Sequence, residues 1–324
     1  MLARLKNTDP LIVLILSAVV LATILPARGA FADAFSIATN IAIALLFYLY
    51  GARLSTSEAL NGLKHWKLHL TILAFTFVVY PLVGLALRPL SGVVGEDMYL
   101  GILYLTLVPS TVQSSVAFTS IARGNVAGAI VSASLSNLAG VLLTPLLVML
   151  CMGVGSGIHI DSSVFVDLAV LLLLPFFLGQ ITRRWVGTFA ATKGTKIVDR
   201  GSIAMVVYSA FSAGIVGGIW SNIGVWQVFF LVLFSIVMVV FMLWLTQRGS
   251  KLLGFDRNDT RAIEFCGTKK SLATGLPMAS VIFGAGGAQL ALLVLPLMIF
   301  HQVQLMICSW LAARYARQEE TPVR

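Results

Sequence analysis

Ten apolar runs follow one another along the chain with only short polar connections. They cover residues 10–27, 34–51, 68–88, 98–122, 125–152, 163–181, 201–220, 226–246, 262–283 and 289–312. A helix needs about 20 mainly apolar residues to cross the ~30 Å hydrocarbon core of a bilayer. The runs are continuous rather than alternating, which excludes a transmembrane barrel. Nor can a water-soluble fold hide them. Of 324 residues, 58% are hydrophobic and 11% charged, where soluble domains carry about 25% charged residues. The sequence predicts an all-α polytopic membrane protein with ten transmembrane helices and the lipid bilayer as its principal partner.

Charge fixes the orientation. With the N-terminus cytoplasmic, eighteen of the 22 Lys and Arg fall in cytoplasmic segments. Arg28 and Arg88 fall outside, and Lys269 and Lys270 lie within a run. This asymmetry follows the positive-inside rule and places both termini in the cytoplasm. Removing the first run would invert the remainder and break the rule. The rival reading of residues 1–30, a cleaved signal peptide with Arg4 and Lys6 before an apolar stretch, therefore stands second. The net charge of +9 comes from these loops and from no basic stripe with interleaved aromatics, so nucleic acid is not an expected partner. Cys151, Cys266 and Cys308 form no CxxC or metal-ligand pattern. No cofactor is expected, sodium ions apart.

Ten runs divide into two halves, 1–152 and 153–324. An odd number of spans in each half makes the halves inverted repeats of five helices. The fourth run is interrupted by Thr111-Val112-Gln113-Ser114-Ser115-Val116-Ala117 and the ninth by Gly267-Thr268-Lys269-Lys270-Ser271-Leu272-Ala273. Paired interruptions at matching places in two halves point to a transporter's binding site.

The polar residues within runs are the candidates for chemistry. In the fourth run, Pro109 removes a backbone donor beside Ser110, Thr111, Gln113, Ser114 and Ser115. One reading is an unwound segment facing a cavity; the other is a proline kink healed by the hydroxyls. In the ninth, Glu264, Lys269 and Lys270 would each cost at least ~2.5–3.5 kcal/mol at the bilayer centre. Either Glu264 and Lys269 are partners near the midplane beside a wet cavity, or the helix begins after Lys270 and all three lie in water. Ser132, Ser136 and Asn137 of the fifth run are polar, and Ser132 and Ser136 share a helix face. They read as ligands or as small-residue packing. Thr76 precedes Pro81 in the third run; His301 and Gln304 are inward candidates in the tenth, with His301 read as an interhelical hydrogen-bonder. There is no GxxxxGK[ST], HExxH or GxSxG, which argues against ATP-driven transport and against an enzyme.

Ile121-Ala122-Arg123-Gly124-Asn125-Val126-Ala127 after a proline-broken helix, Leu143-Thr144-Pro145, Ile263-Glu264 and His301 together resemble the bile acid:sodium symporter family. Phe265-Cys266-Gly267, Lys269-Lys270-Ser271-Leu272-Ala273 and Leu295-Pro296-Leu297-Met298-Ile299-Phe300-His301-Gln302 are similar to a divergent bacterial branch of it. The resemblance covers nearly the whole chain. It implies a multi-pass protein of the bacterial inner membrane, with a panel of helices 1, 2, 6 and 7 and a core of helices 3–5 and 8–10. Helices 4 and 9 would be unwound and cross. It implies sodium-coupled symport of an organic anion, with sodium ligands falling on Glu264, Ser114, Ser115, Thr268 and the carbonyls of Phe265 and Gly267, and with Thr76 in place of a glutamine.

The chain also departs from that pattern. Fifth-helix hydroxyls of the family fall on Ala129 and Ala133 unless Ser132 and Ser136 substitute, and a crossover asparagine becomes Lys269. A second expectation follows: transport coupled to protons or to no ion, with Lys269 in the place of a sodium ion. A channel or a regulatory membrane protein is the remaining alternative. Nothing in the sequence fixes the substrate or the oligomeric state, monomer or otherwise.

Overall fold

A computed structural model describes residues 10–53, 65–152, 169–192, 194–218, 224–284 and 288–320. Arg4, Lys6, Lys64, Lys193 and Arg324, and the first residues of the sixth run, lie outside them. Among the described residues there is no strand. The helices are α1 (Pro10–Ile24), α2 (Gly29–Arg53), α3 (Trp66–Ala86), α4 (Glu96–Leu107), α5 (Gln113–Ile121), α6 (Val126–Met152), α7 (Leu174–Ala190), α8 (Lys196–Val216), α9 (Val225–Leu252), α10 (Arg257–Gly267), α11 (Leu272–Ile282) and α12 (Ala288–Glu320). Among the described residues, five stretches are individually long and apolar enough to cross a membrane: Gly29–Arg53, Trp66–Ala86, Val126–Met152, Val225–Leu252 and Leu290–Gln318. Their outward faces carry large apolar side chains, such as Leu142, Phe241 and Trp244, in keeping with lipid as solvent. The chain is a polytopic helical membrane protein.

The runs and the helices differ mainly at their ends. The second helix begins at Gly29, and α12 continues to Glu320, well past the apolar run. The fourth and ninth runs are each two helices, because the chain unwinds at 108–112 and at 268–271.

Two compact units divide the chain. The first draws on Met1–Arg53, Ile160–Ile223 and Leu276–Leu292. Within it, α2 lies against α7 at glycines: a Cβ on Gly51 would strike the carbonyl of Phe176, and one on Gly179 the carbonyl of Tyr48. Small residues let the backbones approach closely, the usual route to tight packing in a bilayer. At the end of α2, Arg53 donates to Asp199 at 2.7 Å, to the carbonyl of Ala190 at 2.7 Å and to Thr195 at 2.9 Å. The first run belongs to this unit. The Tyr208 hydroxyl of α8 donates to the Leu25 carbonyl at 2.8 Å, and Ile15 and Ala22 are buried.

The second unit draws on Leu54–His159, Gly224–Gly275 and Leu293–Arg324. The turn between α5 and α6 explains part of the Ala122-Arg123-Gly124-Asn125 signature. Arg123 has a left-handed backbone (φ 57°), which ends α5. Asn125 then caps α6 by accepting from the Gly128 amide at 2.8 Å, and its own side-chain amide donates to Asp259 of α10 at 2.6 Å. Asp256 caps α10 in turn, accepting from the Asp259 amide at 2.7 Å.

Candidate functional site

The site lies in the second unit, where the two unwound segments meet. Pro109 and the extended Val108 (ψ 156°) end α4, and four residues later α5 resumes. Between α10 and α11, residues 268–271 are equally unwound. Each break leaves backbone groups without a helical partner, and the breaks satisfy one another. The Ser271 amide donates to the Pro109 carbonyl at 2.7 Å. Ser110 Oγ donates to the Cys266 carbonyl at 2.5 Å, and Ser115 Oγ to the Phe265 carbonyl at 3.0 Å. α6 ties both breaks together. Ser136 Oγ accepts from the Ser110 amide at 3.0 Å. Asn137 donates to the Ser110 carbonyl at 2.8 Å and accepts from the Thr274 hydroxyl at 2.6 Å. Gly140 allows this approach, since a Cβ there would lie 2.7 Å from the Pro109 ring.

Glu264, Lys269 and Lys270 are buried, with at most 2% of their surface exposed, so the reading that left them in water is overturned. The helix begins at Arg257, ahead of all three. Glu264 does not pair with either lysine among the described ion pairs. Both its carboxylate oxygens face the Tyr315 hydroxyl, at 3.0 and 3.1 Å, and that hydroxyl accepts from Gln247 at 3.0 Å.

The two lysines have opposite surroundings. Lys270 Nζ donates to the carbonyls of Thr76, Thr106 and Val108 at 2.8, 2.8 and 2.9 Å, with the Tyr80 ring centroid 4.2 Å away. Its backbone is clamped by Gln304, which accepts from the Lys270 amide at 2.9 Å and donates to its carbonyl at 2.8 Å. His301 Nδ1 lies 2.9 Å from the Gln304 amide nitrogen on its own helix and 3.5 Å from the Lys270 carbonyl oxygen. Lys269 Nζ is equally buried but has no hydrogen-bond partner among the described residues. It rests 3.8 Å from the centroid of the Phe118 ring.

Local sequence explains the Lys270 cage. Residues Phe75–Val79 form a π-helical turn, so the Tyr80 amide reaches back to Phe75 instead of Thr76. The π partner of the Thr76 carbonyl would be Pro81, which has no N–H. Thr106 would accept from the Ser110 amide in an unbroken helix, but that amide goes to Ser136. Val108 loses its partner to the break itself.

The remaining predicted residues fall around this centre. The Thr76 hydroxyl turns back to the Ile72 carbonyl at 2.9 Å, so its contribution to the site is its own carbonyl. Thr268 pairs with Thr246 at 3.1 Å, and its carbonyl accepts from the Tyr80 hydroxyl. Thr111 bonds Ser114 and Ser115 at 2.8 and 2.9 Å. Gln113 is exposed at the start of α5. Ser132 shares a 2.6 Å hydrogen bond with His69 of α3. Gly267 packs against Phe75 and Thr246. Sequence reasoning missed Tyr80, Tyr104, Thr274 and Tyr315. Tyr104 donates to the Gly275 carbonyl at 2.7 Å, in the first turn of α11.

Two helices broken side by side and joined through their unwound backbones, within an all-helical membrane protein, define a transporter-type core. Comparison with known proteins gives the family. The family model described as "SBF-like CPA transporter family" matches residues 9–317. The chain is 47% identical over 309 residues to "Uncharacterized protein PA2026" of Pseudomonas aeruginosa, covering 94% of this chain and 92% of that one. It is 43% identical to "Putative symporter YfeH" of Escherichia coli K12 (96% and 94% covered) and 31% identical to "Sodium/bile acid cotransporter 7" of Xenopus tropicalis (88% of each). The chain belongs to the SBF-like transporter family, within the wider group of bile acid:sodium symporters that its motifs resemble.

Proposed function

We propose that this protein is a secondary active transporter of a small organic anion, working by alternating access in the bacterial inner membrane. In this reading ten crossings form two inverted five-helix repeats, 1–152 and 153–324, with both termini cytoplasmic. The observation that carries it is the meeting of two interrupted spans, sealed by the Ser271 amide on the Pro109 carbonyl at 2.7 Å. Such paired breaks place half-helix ends at a substrate site. The N-termini of α5 and α11 and the unpartnered Lys269 ammonium supply positive potential there, which suits a carboxylate or sulfonate. The grouping of residues 1–53 with 160–223 supports a panel of spans 1, 2, 6 and 7, and that of 54–159 with 224–275 and 293–324 a core of the rest, although residues 276–292 of spans 9 and 10 fall in the first unit.

Sodium coupling is the default that the family resemblance carries. One set of observations favours the second reading, coupling to protons or to no ion. Two lysines occupy the second break, and the Ser115 and Thr268 hydroxyls of the implied sodium set are engaged in direct hydrogen bonds. The test is uptake into proteoliposomes of organic anions first selected by thermal stabilisation: steroid carboxylates, short carboxylates and sulfonates. Uptake is measured under an imposed sodium gradient, a pH gradient or neither. Accumulation driven by one of the gradients supports a transporter and assigns its coupling. Failure of every anion to stabilise or to enter contradicts the reading.

A further inference from the structure

Lys270 is surrounded as a dissolved cation would be. Its three N–H bonds meet three carbonyl oxygens, from Thr76, Thr106 and Val108, at 2.8–2.9 Å. Three acceptors match an ammonium, which has three donors and no acceptor. The face of Tyr80, 4.2 Å from Nζ, closes a further side with its negative quadrupole. Among the described ion pairs no carboxylate reaches the lysine, so carbonyl dipoles and a ring stand in for a counter-ion. Carbonyls gathered from interrupted backbone are the means by which membrane proteins hold monovalent cations. The arrangement is also preorganised. Each carbonyl is left free by a feature of its own helix, the π-helical turn with Pro81 or the break at Pro109, and Gln304 fixes the Lys270 backbone from both sides.

We infer that Lys270 is a tethered cation: its side chain occupies a monovalent-cation site made by the carbonyls of Thr76, Thr106 and Val108 and the ring of Tyr80. That site therefore takes no ion from solution. Lys270, rather than its neighbour Lys269, is the residue that fills an ion's place. The consequence, a transport cycle that needs no sodium at this position, rests on the transporter reading above. The occupancy itself does not, and it is tested by binding alone.

The experiment compares purified parent, Lys270→Ala and Lys270→Met in detergent. Melting temperatures are read in sodium, potassium, ammonium and N-methylglucamine chlorides at one ionic strength. Lys270→Ala leaves the carbonyls in place and opens space for an ion. It is expected to melt lower than the parent in N-methylglucamine and to regain about 3–5 °C in the best of the small cations at tenfold over its Kd. The gain should exceed any response of the parent. Lys270→Met fills the stem without charge and is expected to melt below the parent with no gain over the parent's own cation response. A folded Lys270→Ala that responds to small cations no more than the parent overturns the proposal. So does Lys270→Met with parental stability, since the carbonyls would then need no cation. If Lys270→Ala yields no folded protein in any salt, the Lys270→Met result decides in the same two directions. Because no transport is measured, failure here leaves the transporter reading standing, and failure of uptake leaves this one standing.

Discussion

The amide of Ser271 donates to the carbonyl of Pro109 at 2.7 Å, and through that bond the two broken spans become one structural unit. Neither group has a helical partner of its own, because each sits in an unwound segment. In a bilayer an unsatisfied backbone group costs several kcal/mol, so each break is stable because the other is present.

The contact depends on close packing behind Pro109. A methyl group on Gly140 would lie 2.7 Å from Cβ and 2.8 Å from Cγ of the Pro109 ring, which cannot bend away. Gly140→Ala is expected to destabilise by about 1–3 kcal/mol through overpacking. Gly201→Ala, where a Cβ meets nothing within 4 Å, is expected to be neutral or slightly stabilising. Thermal melts of both variants check the contrast.

Lys269 separates stability from function. A buried amine without a hydrogen bond contributes unfavourable desolvation, offset only partly by the Phe118 ring. Lys269→Met is therefore expected to melt at or above the parent temperature. If the ammonium attracts the anion, the same variant loses at least tenfold in uptake. Lower stability with uptake intact would reverse both expectations.

Tyr315 holds Glu264 in place. Its hydroxyl faces both carboxylate oxygens and accepts from Gln247, so Tyr315→Phe strands two polar groups. A loss of about 1–3 kcal/mol is expected. Glu264→Gln and Tyr315→Phe combined should cost less than the sum of the single changes, because they remove one shared interaction. A double-mutant cycle by thermal denaturation reads this directly, and strict additivity would mean the contact carries no energy.

Much of this arrangement is legible in the sequence. Apolar runs of bilayer length fix the helices, and Pro109 announces the first break. The clustering of Glu264, Lys269 and Lys270 in an apolar run marks the second. The roles of the two lysines are not legible. Helical periodicity assigns faces only where a helix exists, and residues 268–271 are unwound, so nothing local says which lysine turns toward Thr76. The carbonyl cage is invisible for a related reason: it consists of backbone atoms freed by a π-helical turn, and the only sequence trace of that is Pro81. Tyr315 was missed because it lies beyond the last apolar run, between Arg314 and Arg317, where the chain reads as a tail although α12 continues through it.

In an alternating-access cycle the meeting point of the two breaks is reached in turn from the two sides of the membrane. Accessibility tests this without knowledge of the substrate. With Cys151, Cys266 and Cys308 replaced by alanine, Ser114→Cys and Lys269→Cys are labelled with a membrane-impermeant thiol reagent. The reagent is applied to spheroplasts and, separately, to inside-out vesicles. Labelling of both positions from both sides is expected. Labelling from one side only, or from neither, would contradict alternating access.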